Sequence, residues 1–194
     1  MLERIKEILT NPVIAIAKAK KEKDISKTVM ILVLSWILIS MSFFFSFYKD
    51  IIFLVAFGST LTVLLFGIIF SIFLSYLINI IMNILGGKGK YYDALTATTY
   101  SSLPISIGLF IMSLVSVAYP MLGMLLGFIL IAITIALSLS IYFRSIKEFY
   151  STDMFTTFIG FLIIIYVFML SIYLSTAFSM GSTLFGSLLP SFRA

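Results

Sequence analysis

The chain has 194 residues, of which 61% are hydrophobic and 11% charged, with a formal net charge of +5, and its mean hydropathy is +1.19. Soluble domains carry about 25% charged residues, so this chain has too little charge to coat a water-facing surface, and it is too apolar for disorder. Cysteine and histidine are both absent, which excludes disulfides, thiolate–metal sites, thiol nucleophiles and the imidazole general base, and leaves an all-α integral membrane protein.

Residues 1–27 form a basic N-terminal segment. Leu2, Ile5, Ile8 and Leu9 recur at helical spacing among Glu3, Arg4, Lys6 and Glu7. Asn11-Pro12 then marks a second helix start, Asn as N-cap and Pro at the first helical position. Val13, Ile14, Ile16 and Ala17 follow on one side, Lys18, Lys20 and Lys21 on the other. Such a helix lies amphipathically in the membrane interface. The segment carries +3, worth roughly 3 kcal/mol of attraction to an anionic leaflet. The first long apolar run starts only near Thr28 and is too long for a signal peptide, so it reads as a retained helix.

Five segments are long and apolar enough to cross a bilayer, which takes about 20 residues: about 28–47, 57–85, 101–118, 120–143 and 155–178. A tail, 179–194, follows. The apolar run from Ile51 to Leu85 has no polar turn near Gly67, so it reads as one long, tilted helix. It carries Gly67, Ser71, Ser75, Asn79 and Asn83, each four apart. Small residues at this spacing mark close helix contacts. The fourth span has Gly123 and Gly127, then Ala132, Ala136 and Ser140. Both stripes read as packing within the chain or as an oligomer seam. Gly86 and Gly87 follow the second span directly and read as its C-cap and a turn. Ala94 to Tyr100 is semi-polar and suits a short helix on or dipping into the membrane, with a bend before Pro104. Only Tyr119-Pro120 separates spans three and four, so the pair is either two crossings or a re-entrant hairpin.

The 13 Lys and Arg residues orient this layout. Seven lie before the first span, Lys49 in the first loop, Lys88 and Lys90 in the second, Arg144 and Lys147 in the fourth, and Arg193 in the tail. Five crossings with the N-terminus in the cytoplasm and the C-terminus outside place eleven inside and two outside.

No catalytic, cofactor-binding or metal site is expected. The five spans hold no Asp, Glu, Lys, Arg or His, against the usual mark of proton relays and ion coupling. Asp50, Asp93, Glu148 and Asp153 fall in separate loops. The string GGKGK at 86–90 lacks the spacing and the strand–helix context of a phosphate loop. Nucleic acid is not an expected partner, because the positive-inside rule already accounts for the basic charge.

Asn11-Pro12, the GGKG-aromatic turn, the YSSLP run ending at Pro104 and the five-span layout resemble the Yip-one domain family, the Ypt/Rab-interacting multipass membrane proteins, in its prokaryotic or archaeal branch. The resemblance covers about residues 8–178. It marks Asn11, Pro12, Gly86, Gly87, Gly89, Tyr100 and Pro104 as family-typical. It implies a non-enzymatic scaffold or adaptor in membrane organisation or trafficking, acting through contacts with other membrane proteins as a homo- or hetero-oligomer. The family's eukaryotic members tend to carry a long polar arm before the helices; about 27 residues stand there here, which argues against recruitment of a small GTPase. The alternative is an uncoupled transporter, permease or lipid scramblase, with a polar groove along Ser71, Ser75, Asn79 and Asn83 beside Thr96–Ser102. The topology predicts that reporters fused at Met1 and at Ala194 sit on opposite sides of the membrane, which paired fusions to a cytoplasm-active and an export-active enzyme will read.

Overall fold

A computed structural model of the chain describes residues 2–47 and 53–188. Its elements are helical throughout these residues: α1 (Leu2–Thr10), α2 (Pro12–Glu22), α3 (Ile25–Phe47), α4 (Phe53–Ile84), α5 (Tyr91–Ala118), α6 (Pro120–Tyr150) and α7 (Met154–Leu188). The last five are each long and apolar enough to cross a membrane. The protein is an all-helical, multi-pass membrane bundle preceded by a short helical hairpin. The expected positions of Lys49, Asp50 and Arg193 lie outside the described residues.

The helices overrun the predicted spans. The 32-residue α4 is unbroken, about 48 Å at 1.5 Å per residue, well beyond a hydrocarbon core of about 30 Å. With 28 residues in α5 and 31 in α6, both arms of that hairpin are also long enough to cross. α7 continues to Leu188, past the predicted end at 178 into the expected tail; residues 189–194 of that tail lie outside the described residues.

The bend expected before Pro104 does not end the helix. α5 runs through Pro104 from Tyr91 to Ala118, although the ring removes the N–H that would bond the Tyr100 carbonyl. Nor does its first half lie on the membrane surface. Residues 93–100 are buried on every face, as are Leu103 and Pro104. α5 is the central helix, packed against α3, α4 and α6. Burial all round forces the choice of residue: alanines and threonines present little bulk, and two of the three threonine hydroxyls bond back into the helix, Thr96 to the Tyr92 carbonyl at 2.9 Å and Thr98 to that of Ala94 at 2.9 Å.

Close contacts fix the neighbours. Gly123 of α6 lies against Ser116 of α5, and Gly127 against Met112. That pair of glycines is therefore inside the chain's own hairpin, while Ala132, Ala136 and Ser140 of the same stripe are exposed. On α4, Gly67 receives the indole of Trp36, whose Nε1 donates to Ser71 Oγ at 2.8 Å. α7 is held by aromatic contacts, Phe168 on Phe70 at 5.5 Å and Phe161 on Phe143 at 5.1 Å between centroids. Large apolar side chains such as Leu54, Phe66, Ile69 and Phe128 are exposed, forming the surface that meets lipid.

A side chain at Gly67 would collide with the Trp36 ring, whereas one at Gly58 meets nothing within 4 Å. Gly67→Leu should therefore cost about 1–3 kcal/mol through overpacking, and Gly58→Leu should be neutral, as read by thermal unfolding in detergent.

Candidate functional site

The α1–α2 hairpin, the α4–α5 loop and the α6–α7 turn meet at one end of the bundle. The join is explicit: Lys20 of α2 donates to the Glu148 carbonyl on α6 and lies 3.6 Å from its carboxylate. This end gathers every basic residue among the described ones.

The hairpin turns at Asn11. Its N–H donates to the Glu7 carbonyl at 2.7 Å, and its own carbonyl accepts from Ile14 at 3.1 Å and Ala15 at 3.3 Å. Pro12 opens α2 as expected, but the Asn11 side chain makes no cap hydrogen bond. The two helices of the hairpin pack onto the bundle. Ile8, Ala15, Ile16 and Ala19 are buried in one cluster with Ala94, Ala97, Ile146 and Tyr150. Arg4 is buried with them; its guanidinium donates to the Ala15 carbonyl at 2.8 Å and to Glu22 Oε2 at 2.6 Å. Glu7 pairs with Lys18, whose hydrogen bond holds the Glu7 carboxyl below the usual value. Lys27 lies 3.3 Å from Glu22 and 3.1 Å from Asp24. Four of the seven cations of the segment are thus engaged by carboxylates of the protein itself. Leu2, Leu9, Val13 and Ile14 remain exposed.

The glycine loop is built around Tyr150. Gly86 has φ +88°, where a Cβ is strained. Its N–H donates to the Asn83 carbonyl at 3.1 Å and the Gly87 N–H to the Met82 carbonyl at 2.8 Å, the paired bonds that close a helix C-terminus. The chain then passes the face of Tyr150. Lys88 N–H donates to the Tyr150 carbonyl at 3.0 Å. A Cβ on Gly89 would stand 2.6 Å from the ring, and one on Gly87 2.9 Å from it. The Tyr150 hydroxyl donates to Asn79 Oδ1 at 2.9 Å, with the Lys90 carbonyl 3.4 Å away. Asp93 then starts α5 by accepting from the Lys90 N–H at 2.8 Å.

Of the residues singled out from the sequence, the structure brings together Gly87, Gly89 and Asn79 on Tyr150. Gly86 shapes the turn beside them. Asn83 is exposed, with its amide 3.3 Å from Asn79 Oδ1. Asn11 and Pro12 stand in the separate hairpin turn, and Tyr100 and Pro104 are buried along α5. Ser71 meets Trp36 of α3, and Ser75 Oγ donates to the Ser71 carbonyl at 2.7 Å with Thr98 Oγ1 of α5 at 3.1 Å. The stripe on α4 thus touches three helices in turn.

Sequence reasoning missed Tyr150, Trp36 and Arg4. Arg4 had a signal: it lies four residues before Ile8, on the same helix face. Tyr150 and Trp36 had none that separates them from other interfacial aromatics. Among the described residues no cluster of three or more acidic side chains is placed to hold a metal ion.

The Yip1 domain family profile matches residues 6–188. The chain belongs to the Yip1 domain family. No curated protein and no solved structure matches it. The match takes in α3 to α7, the glycine loop and all of the hairpin but its first turn, so this Yip1 domain is the whole bundle. The family is one of non-catalytic membrane proteins.

In this Yip1 domain Tyr150 should be a keystone at the basic end. Tyr150→Phe removes the bond to Asn79 and should cost about 0.6–2 kcal/mol. Tyr150→Ala also empties the seat of the glycine loop and should cost about 3–5 kcal/mol. Thermal unfolding of the two variants in detergent checks the order and the gap.

Proposed function

We propose that this Yip1 domain is a non-enzymatic membrane scaffold or adaptor. Its basic end faces the cytoplasm, and it works through contacts with other membrane proteins, copies of itself included. A prokaryotic cell membrane is the location that suits the composition.

The observation that carries this reading is the use of the polar stripe on α4. A solute or lipid path needs polar groups lining a hydrated gap. Here Ser71 accepts from Trp36, Ser75 faces Thr98 and Asn79 accepts from Tyr150. These groups hold helices together. The polar surface left for a partner is the basic end, where Lys21, Lys23, Lys88, Lys90, Arg144 and Lys147 are exposed. Basic residues concentrated at one end of a bundle favour that end for the cytoplasm. The non-catalytic character of the family supports the same reading.

The hairpin would supply much of that surface, and Arg4 ties it down. Arg4→Met should release the hairpin, seen as faster tryptic cleavage at Lys18 and Lys21 with α3 to α7 unaffected.

Photo-crosslinking in native membranes tests the proposal. A crosslinking residue at Lys88 should capture discrete membrane-protein partners, and one at the lipid-facing Phe66 should capture far fewer. Purified protein in liposomes should move neither solute nor labelled lipid. Flux that Ser75→Leu or Asn79→Leu abolishes would overturn the scaffold reading in favour of an uncoupled transporter or scramblase.

A further inference from the structure

Where α6 leaves the bundle and α7 enters it, a cavity of about 330 Å³ opens, lined by Ser140, Phe143, Arg144, Lys147, Glu148 and Met154. That volume lies at the lower end of the range for small-molecule sites, about 300–1,000 Å³. Its lining is part cationic and part aromatic. Arg144 and Lys147, one turn apart on α6, supply two cations at the rim. Phe143 supplies the floor, backed by Phe161 at 5.1 Å and Phe158 at 6.2 Å between centroids.

The charge balance of the rim is the decisive point. Neither Arg144 nor Lys147 has a hydrogen bond or ion pair from its side chain among the described residues, in contrast to Arg4, Lys18, Lys20 and Lys27. The one carboxylate in the wall, Glu148, is turned to Lys20, 3.6 Å away. With Glu148 offset by Lys20, the cavity presents two uncompensated cations beside the aromatic ring of Phe143. Phe158, beside Phe143, is exposed.

We propose that this cavity is a specific site for an anionic glycerophospholipid of the surrounding leaflet. The phosphodiester sits between the Arg144 guanidinium, which offers paired donors to phosphate oxygens, and the Lys147 ammonium. The acyl chains run down the α6–α7 groove over Phe143 and Phe158. The lipid would complete the contact between α7 and α6, which the protein makes through few aromatic rings. The site differs from diffuse attraction to the hairpin end, where Lys21 and Lys23 are exposed. It rests on the bundle alone, and stands whether or not the protein is a scaffold.

Native mass spectrometry of the full chain in detergent, titrated with phosphatidylglycerol or phosphatidylcholine, tests it. The wild-type protein should retain a phosphatidylglycerol adduct in preference to phosphatidylcholine. Arg144→Gln with Lys147→Gln should weaken that adduct about thirty-fold, the equivalent of about 2 kcal/mol for two charges. Arg144→Lys with Lys147→Arg should keep it, which separates charge from misfolding. Lys21→Gln with Lys23→Gln should leave it unchanged. Equal binding by the double glutamine variant at 144 and 147 would overturn the proposal. So would an equal loss from the 21 and 23 pair, which means diffuse attraction, or full displacement of the lipid by millimolar inorganic phosphate, which means a free-anion site.

Discussion

The approach of three helices to the first half of α5 sets the geometry of the whole bundle. Lipid tails are as apolar as leucine, so helices in a membrane gain little from hiding apolar surface and associate through packing and hydrogen bonds. Residues 93–100 meet that condition with two alanines and three threonines. The hydroxyls of Thr96 and Thr98 return to the helix backbone, which leaves the faces compact. α3 joins through Thr28, whose hydroxyl lies 3.2 Å from that of Tyr92. α4 joins through Ser75, and α6 through Ile146 and Tyr150, which share one buried cluster with Ala94 and Ala97. A bulky substitution anywhere in this half-helix displaces more than one partner.

The same economy of polar groups explains the basic end. Backbone that leaves a helix must find partners, and here the glycine loop finds them on Tyr150 and Asp93. The hairpin meets its charge requirement by internal pairing. Arg4 is buried at 7% exposure with Glu22 and the Ala15 carbonyl, a geometry in which removing one partner costs far more than the pair contributes. The N-terminal cations therefore divide into structural ones, paired within the protein, and outward ones such as Lys21 and Lys23. On α6, Arg144 and Lys147 belong to the second kind, and the fold places both in the lining of one cavity beside Phe143.

The spans were legible because hydrophobic length is a local property. The five predicted segments map one to one onto α3 to α7, and the apolar stretch around Gly67 is one helix over residues 53–84. The ends were less legible. Ala94–Tyr100 reads as a short helix at the membrane surface and Arg144–Tyr150 as a loop, yet both belong to the long helices α5 and α6, because neighbours bury the threonines and water can reach the charged residues. Pro104 misled for a related reason. Its steric cost is local, and packing on all sides of α5 outweighs it.

By itself the sequence determined the membrane class, the number of helices able to cross, the concentration of basic charge at one end, the turn glycines and the family resemblance. All follow from composition, periodicity and short spacing. Only the tertiary structure decided that α5 is the hub, that Trp36, Thr98 and Tyr150 occupy the α4 stripe, that Arg4 is buried, and that Arg144 and Lys147 share a cavity while Lys20 holds Glu148. Those pairings join residues from 18 to 128 positions apart, and which side chain meets which across such distances is set by how the helices pack, a property that no local pattern of residues encodes.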